Sequence, residues 1–177
     1  MMISAEYCRL MARYNRWQNN SLITASDGLT EAERWMDRGA FFKSIAATLN
    51  HLYWADALML ERIKGNERPQ DTITHSLNSP SVWSEFKDLR LQRDAKIEQW
   101  AMDIANVDLN GVIKWYPPDG SARIEMPKAI CVVQLFNHQT HHRGQIHAML
   151  TDMGVEAEPT DIPAMPKQIP SISPQGY

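Results

Sequence analysis

The sequence LFNHQTHHRGQ, residues 135–145, carries three of the six histidines of this 177-residue chain. In an α-helix each residue turns by about 100°, so His138 and His142 point about 40° apart with one turn of rise between them. Spacing alone would equally allow His138 to pair with His141. The apolar positions of the segment favour His142, because it lies inside the arc that they define and His141 lies at its edge. Those positions are residues 135, 146, 149, 150 and 153.

The other two histidines near this face have different expected roles. His141 is expected beside the ligands or at the surface, and His147 points to the opposite, solvated side of the helix. Two histidines on a buried helical face can bind a metal ion or can simply be hydrogen-bonded. Spacing alone leaves these two interpretations equally open. A third ligand would favour the metal, because a catalytic site of the zinc type uses three protein ligands and leaves one position open.

His51 is the natural third ligand. It is the only histidine of a second helix that the apolar period predicts over residues 41–64, and Gly65 has the place of a helix-ending glycine. The alternative is a structural role, in which His51 is hydrogen-bonded to a backbone or tyrosine group. Asp56 lies about 140° round the helix from His51 and cannot serve the same site directly. His75 lies outside both helices and is not expected to bind.

Composition limits the classes of partner. The net charge is −3, and no run of Lys or Arg indicates a nucleic acid or an anionic membrane surface as the main partner, so a small molecule is expected. No apolar run approaches the roughly 18 to 20 residues that span a bilayer, and the N-terminus lacks a signal pattern, which predicts a cytoplasmic protein. Cys8 and Cys131 are expected to be reduced. Cys131 is about 10 Å along the helix from His138, too far to share a metal.

The chain is expected to form one all-α domain, residues 1–177, in which a short β-hairpin precedes the last of four long helices. Thr30 and Glu33 have the form of a capping box, and Ser79 with Pro80 is predicted to open the third helix. The connection before that helix is long enough to let helices two and three run parallel. The predicted helices cover residues 4–25, 41–64, 79–106 and 127–153, and the predicted strands cover residues 112–116 and 122–125, joined by a turn at 117–120.

Beyond these elements, the sequence leaves several expectations open. Prolines recur from about residue 154 onwards, so this tail is expected to be extended, either wrapping the bundle or trailing in solvent. Asp56 and Arg93 fall near apolar stripes, so each should find a polar or charged partner, with each other as one possibility. The alternative is that either side chain reaches solvent or a dimer partner. Arg143 and Gln145 flank the histidines and are candidates for orienting a substrate, although Arg143 could equally be a surface or interface residue.

Other metal-site patterns do not fit the sequence. No glutamate has a histidine three residues on, as a ferritin-like di-iron centre requires, and the His-Glu-x-x-His pattern of zincins is absent. An iron site with two histidines and one carboxylate would need an acidic ligand, and Asp56 points away. Three neutral imidazoles therefore remain as the plausible set.

Four segments spread over nearly the whole chain resemble the DinB/YfiT-like superfamily of damage-inducible DinB proteins, which is distinct from the DNA polymerase of similar name. The segment around the histidine pair is the most specific of them. The segments are YNRWQN (14–19), TLNHLYWAD (48–56), NHQTHHRGQ (137–145) and PTDIP (159–163).

This resemblance implies a four-helix bundle with up-down-down-up order, frequent dimerisation, and a divalent metal on His51, His138 and His142. Zinc or nickel is the expected ion, with manganese or iron as alternatives. The superfamily includes S-transferases and isomerases that depend on thiols such as bacillithiol and mycothiol. The expected function is therefore metal-dependent transfer of a low-molecular-weight thiol to an electrophilic small molecule. A metal-dependent hydrolase and a non-catalytic metal-binding stress protein are the alternatives, and no catalytic or thiol-binding residue is assigned.

Overall fold

A computed structural model describes residues 2–66, 72–117 and 121–170 of the chain. Four long helices form a bundle, and a two-stranded antiparallel hairpin precedes the last of them, which confirms the predicted fold class. None of the helices in these ranges is both long and apolar enough to span a membrane. The elements are α1 (Ala5–Asp27), α2 (Glu31–Trp35), α3 (Ile45–Lys64), α4 (Ile73–Ser76), α5 (Trp83–Asp103), β1 (Val112–Trp115), β2 (Ile124–Pro127) and α6 (Lys128–Asp152).

Contacts between the long helices fix their directions. Contacting residues advance together along α1 and α6 and along α3 and α5, but in opposite directions along α1 and α5. With α1 taken as up, the order is therefore up, down, down, up, as the resemblance implies. The contacting pairs are Tyr7–Phe136 and Asn15–Arg143 for α1 with α6, Asn50–Pro80 and Asp56–Arg90 for α3 with α5, and Asn19–Asp94 and Asp27–Trp83 for α1 with α5.

The second long helix begins later than its apolar pattern predicts. The Ser44 hydroxyl accepts the backbone N–H of Ala47 at 3.1 Å, and α3 starts at Ile45 rather than at residue 41. The preceding residues form a tight turn, with a bridge between Ala40 and Lys43 and a left-handed φ of 69° at Lys43. At its other end, α3 stops at Gly65, whose φ of 77° confirms the predicted left-handed cap.

Two other predicted boundaries are wrong. Ser79 and Pro80 do not open the third helix: α5 starts at Trp83, and the Pro80 carbonyl instead accepts a hydrogen bond from Asn50 Nδ2 at 3.0 Å. The connection before α5 also contains the short helix α4, capped by Thr72. In the hairpin, β2 lies two residues further along than predicted, and residues 118–120 of the predicted turn lie outside the described ranges.

A layer of buried polar side chains separates two apolar clusters of the bundle. One cluster occupies the end that contains the hairpin, and the other contains the first half of α3. Between them Arg90 donates to Asp56 and to Asp94, each at 2.7 Å, and Asn19 donates to Asp94 at 2.9 Å. Arg93, the possible partner of Asp56, instead lies over the Tyr53 ring, 5.2 Å from its centre. Arg90 is on the α5 face that enters the bundle, and Arg93 is not.

The proline-rich tail wraps along α1, which resolves one of the open expectations. Tyr14 and Gln18 donate to the carbonyls of Thr160 and Pro159, at 2.7 and 2.9 Å. The Trp17 indole donates to the Glu158 carboxylate at 2.5 Å. The segments YNRWQN and PTDIP therefore meet in space, although more than 140 residues separate these partners in sequence.

Candidate metal centre

Three histidines from α3 and α6 meet between the two helices. His51, His138 and His142 each direct one ring nitrogen into a common space, and these three atoms lie within 4.8 Å of one another. His51 is 4% exposed and His142 is 6% exposed, whereas His138 is half-buried. The cluster therefore reaches the surface on the His138 side. The antiparallel packing of α3 and α6 explains the meeting, because it sets the two histidine-bearing faces opposite each other.

Aromatic side chains cover the cluster. The ring of Phe42 lies 4.1 Å from that of His51 and 5.3 Å from that of His142, centre to centre. Trp54, one turn after His51, lies 6.1 Å from the His51 ring. Phe42 belongs to the turn before α3, where the sequence pattern predicts helix, so its role was not foreseen. This cover shields the His51 and His142 imidazoles from water on their buried side.

A hydrogen bond selects the nitrogen that the His142 ring presents. His142 Nδ1 donates to the Gln145 side-chain oxygen at 2.8 Å, which leaves Nε2 of the neutral ring as its lone-pair nitrogen. The Nε2 atoms of His51 and His138 lie 3.1 Å apart. His51 Nδ1 is buried and has no hydrogen-bond partner within the described ranges. Gln145 thus supports a candidate ligand instead of facing an open substrate site.

The electrostatics keep the three rings neutral, the form that binds metals. Burial, with smaller contributions from His138 and His142, lowers the pKa of His51 to about 3. Burial also lowers the pKa of His138 to about 4, again with neighbouring histidines contributing. For His142 burial lowers the pKa and the bond to Gln145 opposes it.

The donor set fits one divalent ion. A zinc ion about 2.1 Å from each of three nitrogens would hold them about 3 to 3.5 Å apart, close to the 3.1 Å between His51 and His138. The three nitrogens lie within 4.8 Å of one another, so a shift of about 1 Å or more toward a common centre would let them share one ion. No carboxylate belongs to the group that the described residues form, so the charge of a bound ion would not be reduced by its ligands. Three neutral imidazoles suit zinc, nickel, copper or iron.

The remaining histidines lie outside this group. His141 is exposed, with its ring 4.8 Å from that of His142, and so lies beside the candidate ligands as expected. His147 is partly exposed, and its Nδ1 lies 3.5 Å from the Thr151 hydroxyl, so it is less solvated than predicted. His75 lies in α4 and is exposed.

Polar residues of the buried layer hold the two helices that carry the histidines. Gln139, between the candidate ligands in sequence, donates to the Asp56 carboxylate on α3 and accepts from Arg143 at 3.1 Å. Arg143 is buried and also donates to Asn15 on α1 at 2.6 Å. It is thus an interior residue, neither at the surface nor beside the histidine cluster's open side. Sequence reasoning missed Gln139, although it falls one residue after His138 on a helix with a broad buried face.

A family model described as the DinB family matches residues 1–171. Protein DinB of Bacillus subtilis (strain 168) is 23% identical over 164 residues, which cover 89% of this chain and 92% of that protein. The crystal structure of a DinB-like protein from Bacillus cereus ATCC 10987 superposes with a TM-score of 0.56 at 19% identity, covering 89% of this chain and 92% of that one. The match over nearly the whole sequence shows that this chain belongs to the DinB family.

Proposed function

We propose that the protein is a metal-dependent enzyme that transfers a low-molecular-weight thiol to an electrophilic small molecule. The main support for this proposal is the cluster of His51, His138 and His142, three neutral donors that approach the surface along one side. A divalent ion on this donor set would lower the pKa of a bound thiol or water and so supply a nucleophile near neutral pH. The structural likeness supports the fold, and the donor set supports the reaction.

Residues of the chain itself supply the surroundings for this chemistry. Burial favours neutral imidazoles at the three candidate ligand positions, so protons compete weakly for the donor nitrogens. Phe42 shields two of the rings from water. The exposed His141 is the nearest further imidazole, and it could accept the proton that an incoming thiol releases.

The nucleophile is expected to come from outside the protein. Both cysteines are buried, and burial raises the pKa of the Cys8 thiol to about 11. Burial likewise raises the pKa of Cys131, which lies two helical turns from His138. Thiols in such surroundings stay protonated and are poor nucleophiles. A small thiol cofactor fits these facts better than a protein cysteine.

The test begins with metal analysis of protein purified without a tag. The native protein should hold about one divalent ion per chain, and His51→Ala, His138→Ala and His142→Ala should each lose most of it. His147→Ala is the matched control, since it removes a histidine from α6 outside the cluster. Full occupancy in His51→Ala would reject the three-histidine site.

Activity is then measured with 1-chloro-2,4-dinitrobenzene and a panel of cellular thiols that includes bacillithiol, mycothiol, coenzyme A and cysteine. In the expected reaction the thiolate sulfur forms a bond to the ring carbon, chloride leaves with its electron pair, and the thiol proton passes to the solvent. Metal-loaded protein should consume one thiol of the panel faster than free metal does. The His142→Ala variant should consume that thiol no faster than free metal.

A structural role for the metal is the second candidate. It is favoured by the burial of His51 and His142 under Phe42 and by the position of the cluster between α3 and α6. Suppose that the metal raises the stability of the protein, but that neither the thiol panel nor hydrolysable esters and amides are turned over. A structural metal site would then replace the enzyme as the proposed function. Ester or amide turnover alone would favour the hydrolase. Dimerisation and a cytoplasmic location remain predictions.

A further inference from the structure

A second site is suggested by a cavity of about 660 Å³ at the hairpin end of the bundle. It lies between the C-terminus of α3, strand β1 and the N-terminus of α6. Its volume is in the range of pockets that hold small molecules, about 300 to 1,000 Å³. The lining residues are Arg62, Ile63, Lys64, Gly65, Asn66, Val112, Ile113, Lys114, Trp115, Tyr116 and Lys128.

This cavity is distinct from the histidine cluster. Arg62 follows His51 by 11 residues on α3, which places it about 16 Å further along the helix axis. Lys128 precedes His138 by ten residues on α6, a distance of about 15 Å. A compound in the cavity would therefore not need to touch the candidate metal ligands.

Cationic side chains predominate among the described residues that line the cavity, although the chain as a whole is acidic. Four of its lining residues are cationic, and no carboxylate is among the described residues that line it. Lys114 approaches Glu125 at 3.5 Å, but both side chains are about half exposed, so water largely screens this pair. The net charge of the whole chain is −3, so the positive charge here is a local feature.

Helix stability explains only part of this charge. Arg62 and Lys64 lie in the last turn of α3, where cations interact favourably with the helix dipole. Lys128 is the first residue of α6, where the dipole disfavours a cation, and the first turn of α6 contains no acidic residue. Lys114 lies on a strand and gains nothing from a helix end. A bound anion would interact favourably with Lys64, Lys114 and Lys128.

Aromatic rings accompany the cations. The guanidinium of Arg62 lies 4.7 Å from the centre of the Trp115 ring, in a cation–π contact beside the cavity. Tyr116, at the rim, is 66% exposed. Flat groups stack on both guanidinium and tyrosine surfaces. The combination suits a compound that has an anionic group at one end and a planar ring at the other.

We propose that this cavity binds an anionic small molecule that carries a planar ring and has the size of a mononucleotide. Lys64 and Lys128 contact the anionic group, and Arg62 and Tyr116 contact the ring. The site does not depend on the proposed function, because none of these residues belongs to the histidine cluster.

The probe is adenosine 5′-monophosphate, compared with inorganic phosphate and with adenosine as its two halves. Binding to the full-length protein is measured by calorimetry and by the indole N–H shifts of protein labelled with ¹⁵N-tryptophan. The monophosphate should bind saturably and more tightly than either half, with an affinity that falls as salt rises. The His142→Ala variant should bind the monophosphate with the same affinity as the native protein.

Paired variants assign the contacts. Lys64→Gln with Lys128→Gln should weaken binding about tenfold or more, since hydrogen bonds to charged groups are strong. Lys96→Gln with Lys167→Gln changes the net charge equally at exposed positions outside the cavity and should leave binding unchanged. Tyr116 is exposed, so Tyr116→Leu should leave the fold intact. This change should weaken binding of the monophosphate but not binding of inorganic phosphate.

Three results would overturn the proposal. The first is no saturable binding of the monophosphate up to about 5 mM, which would leave no useful affinity. The second is an equal loss in the two lysine pairs, which would indicate general surface charge. The third is that inorganic phosphate binds as tightly as the monophosphate, which would show that the planar ring does not contribute to binding.

Discussion

Gln145 shows how a single residue can set the chemistry of the candidate metal centre. It accepts the Nδ1 hydrogen of His142 at 2.8 Å, so Nε2 is the nitrogen left to bind a metal. Its sequence position suggested a substrate contact, but this hydrogen bond indicates that it orients a ligand. The distinction matters because losing an orienting residue weakens metal binding even when no substrate is present.

We therefore expect Gln145→Leu to lower metal affinity about 10- to 100-fold, measured by competition with a chelator. Gln145→Glu keeps an oxygen acceptor at this position and should restore most of the affinity. Gln134→Leu, at an exposed position on the same helix, is the control and should have no effect. Equal affinity in Gln145→Leu and the native protein would show that His142 is oriented by packing alone.

The histidine cluster should also make the stability of the metal-free protein depend on pH. Burial lowers the pKa of His51 to about 3 and that of His138 to about 4, whereas a histidine of the unfolded chain titrates near 6.5. Between about pH 6.5 and 4 the unfolded chain thus binds more protons than the folded protein. The free energy of unfolding should fall as pH falls through this window and should be insensitive to these groups above it.

Urea unfolding of the metal-free protein at pH 7, 6 and 5 measures this slope. A double variant, His51→Gln with His138→Gln, removes two of the titrating groups and should show a shallower dependence over the same range. An identical slope in the variant would mean that other groups, such as the buried carboxylates, cause the acid sensitivity.

At the scale of the helices, Arg90 connects the bundle through its buried polar layer. Its guanidinium binds Asp56 on α3 and Asp94 on α5, and both carboxylates are buried. Burial raises the pKa of Asp94, and Arg90 opposes that rise. Asp56 also accepts from Gln139, so the arrangement links α5 through α3 to the helix that carries His138 and His142.

Replacing Arg90 with Met would leave two buried carboxylates without their cation. We expect this change to lower the free energy of unfolding by about 3 to 5 kcal/mol, the usual cost of breaking a buried ion pair from one side. Arg16→Met, which breaks a partly exposed pair with Glu98, should cost about 1 kcal/mol or less. Chemical denaturation of both variants measures these two losses. Equal losses of unfolding free energy would show that the buried polar layer around Arg90 is well solvated.

At the scale of the whole molecule, the docked tail closes one side of the bundle against α1. The Tyr14 hydroxyl donates to the Thr160 carbonyl at 2.7 Å, and its ring lies 5.3 Å from the guanidinium of Arg143. Arg13 donates to the carbonyls of Pro166 and Lys167 further along the tail. Polar groups of α1 that face outward from the four helices are thereby satisfied by the tail backbone.

Tyr14→Phe keeps the ring over Arg143 and removes only the bond to the tail. We expect a loss of about 1 kcal/mol in tail docking, which should speed tryptic cleavage after Lys167 about fivefold through local opening. Tyr7→Phe is the control, because Tyr7 contacts Phe136 on α6 instead. Unchanged cleavage of Tyr14→Phe would indicate that the remaining tail contacts suffice.

The sequence by itself predicted the four long helices and the three histidines of the candidate site. Helix formation and the direction of a side chain around a helix depend on residues within a few positions, so the 3.6-residue period selects His51, His138 and His142 without knowledge of the fold. The structure brings these three together. The same local logic misplaced the start of α3, because the turn that positions Phe42 is apolar and looks helical.

Only the tertiary structure decided which distant groups meet. The apolar period offered Arg93 as a possible partner of Asp56, but the packing of α5 against α3 brings Arg90 to that carboxylate instead. The docking of the tail on Tyr14 and the cavity beside Trp115 likewise join segments far apart in sequence. Such contacts depend on the directions and spacing of whole elements, and no local pattern in the chain encodes them.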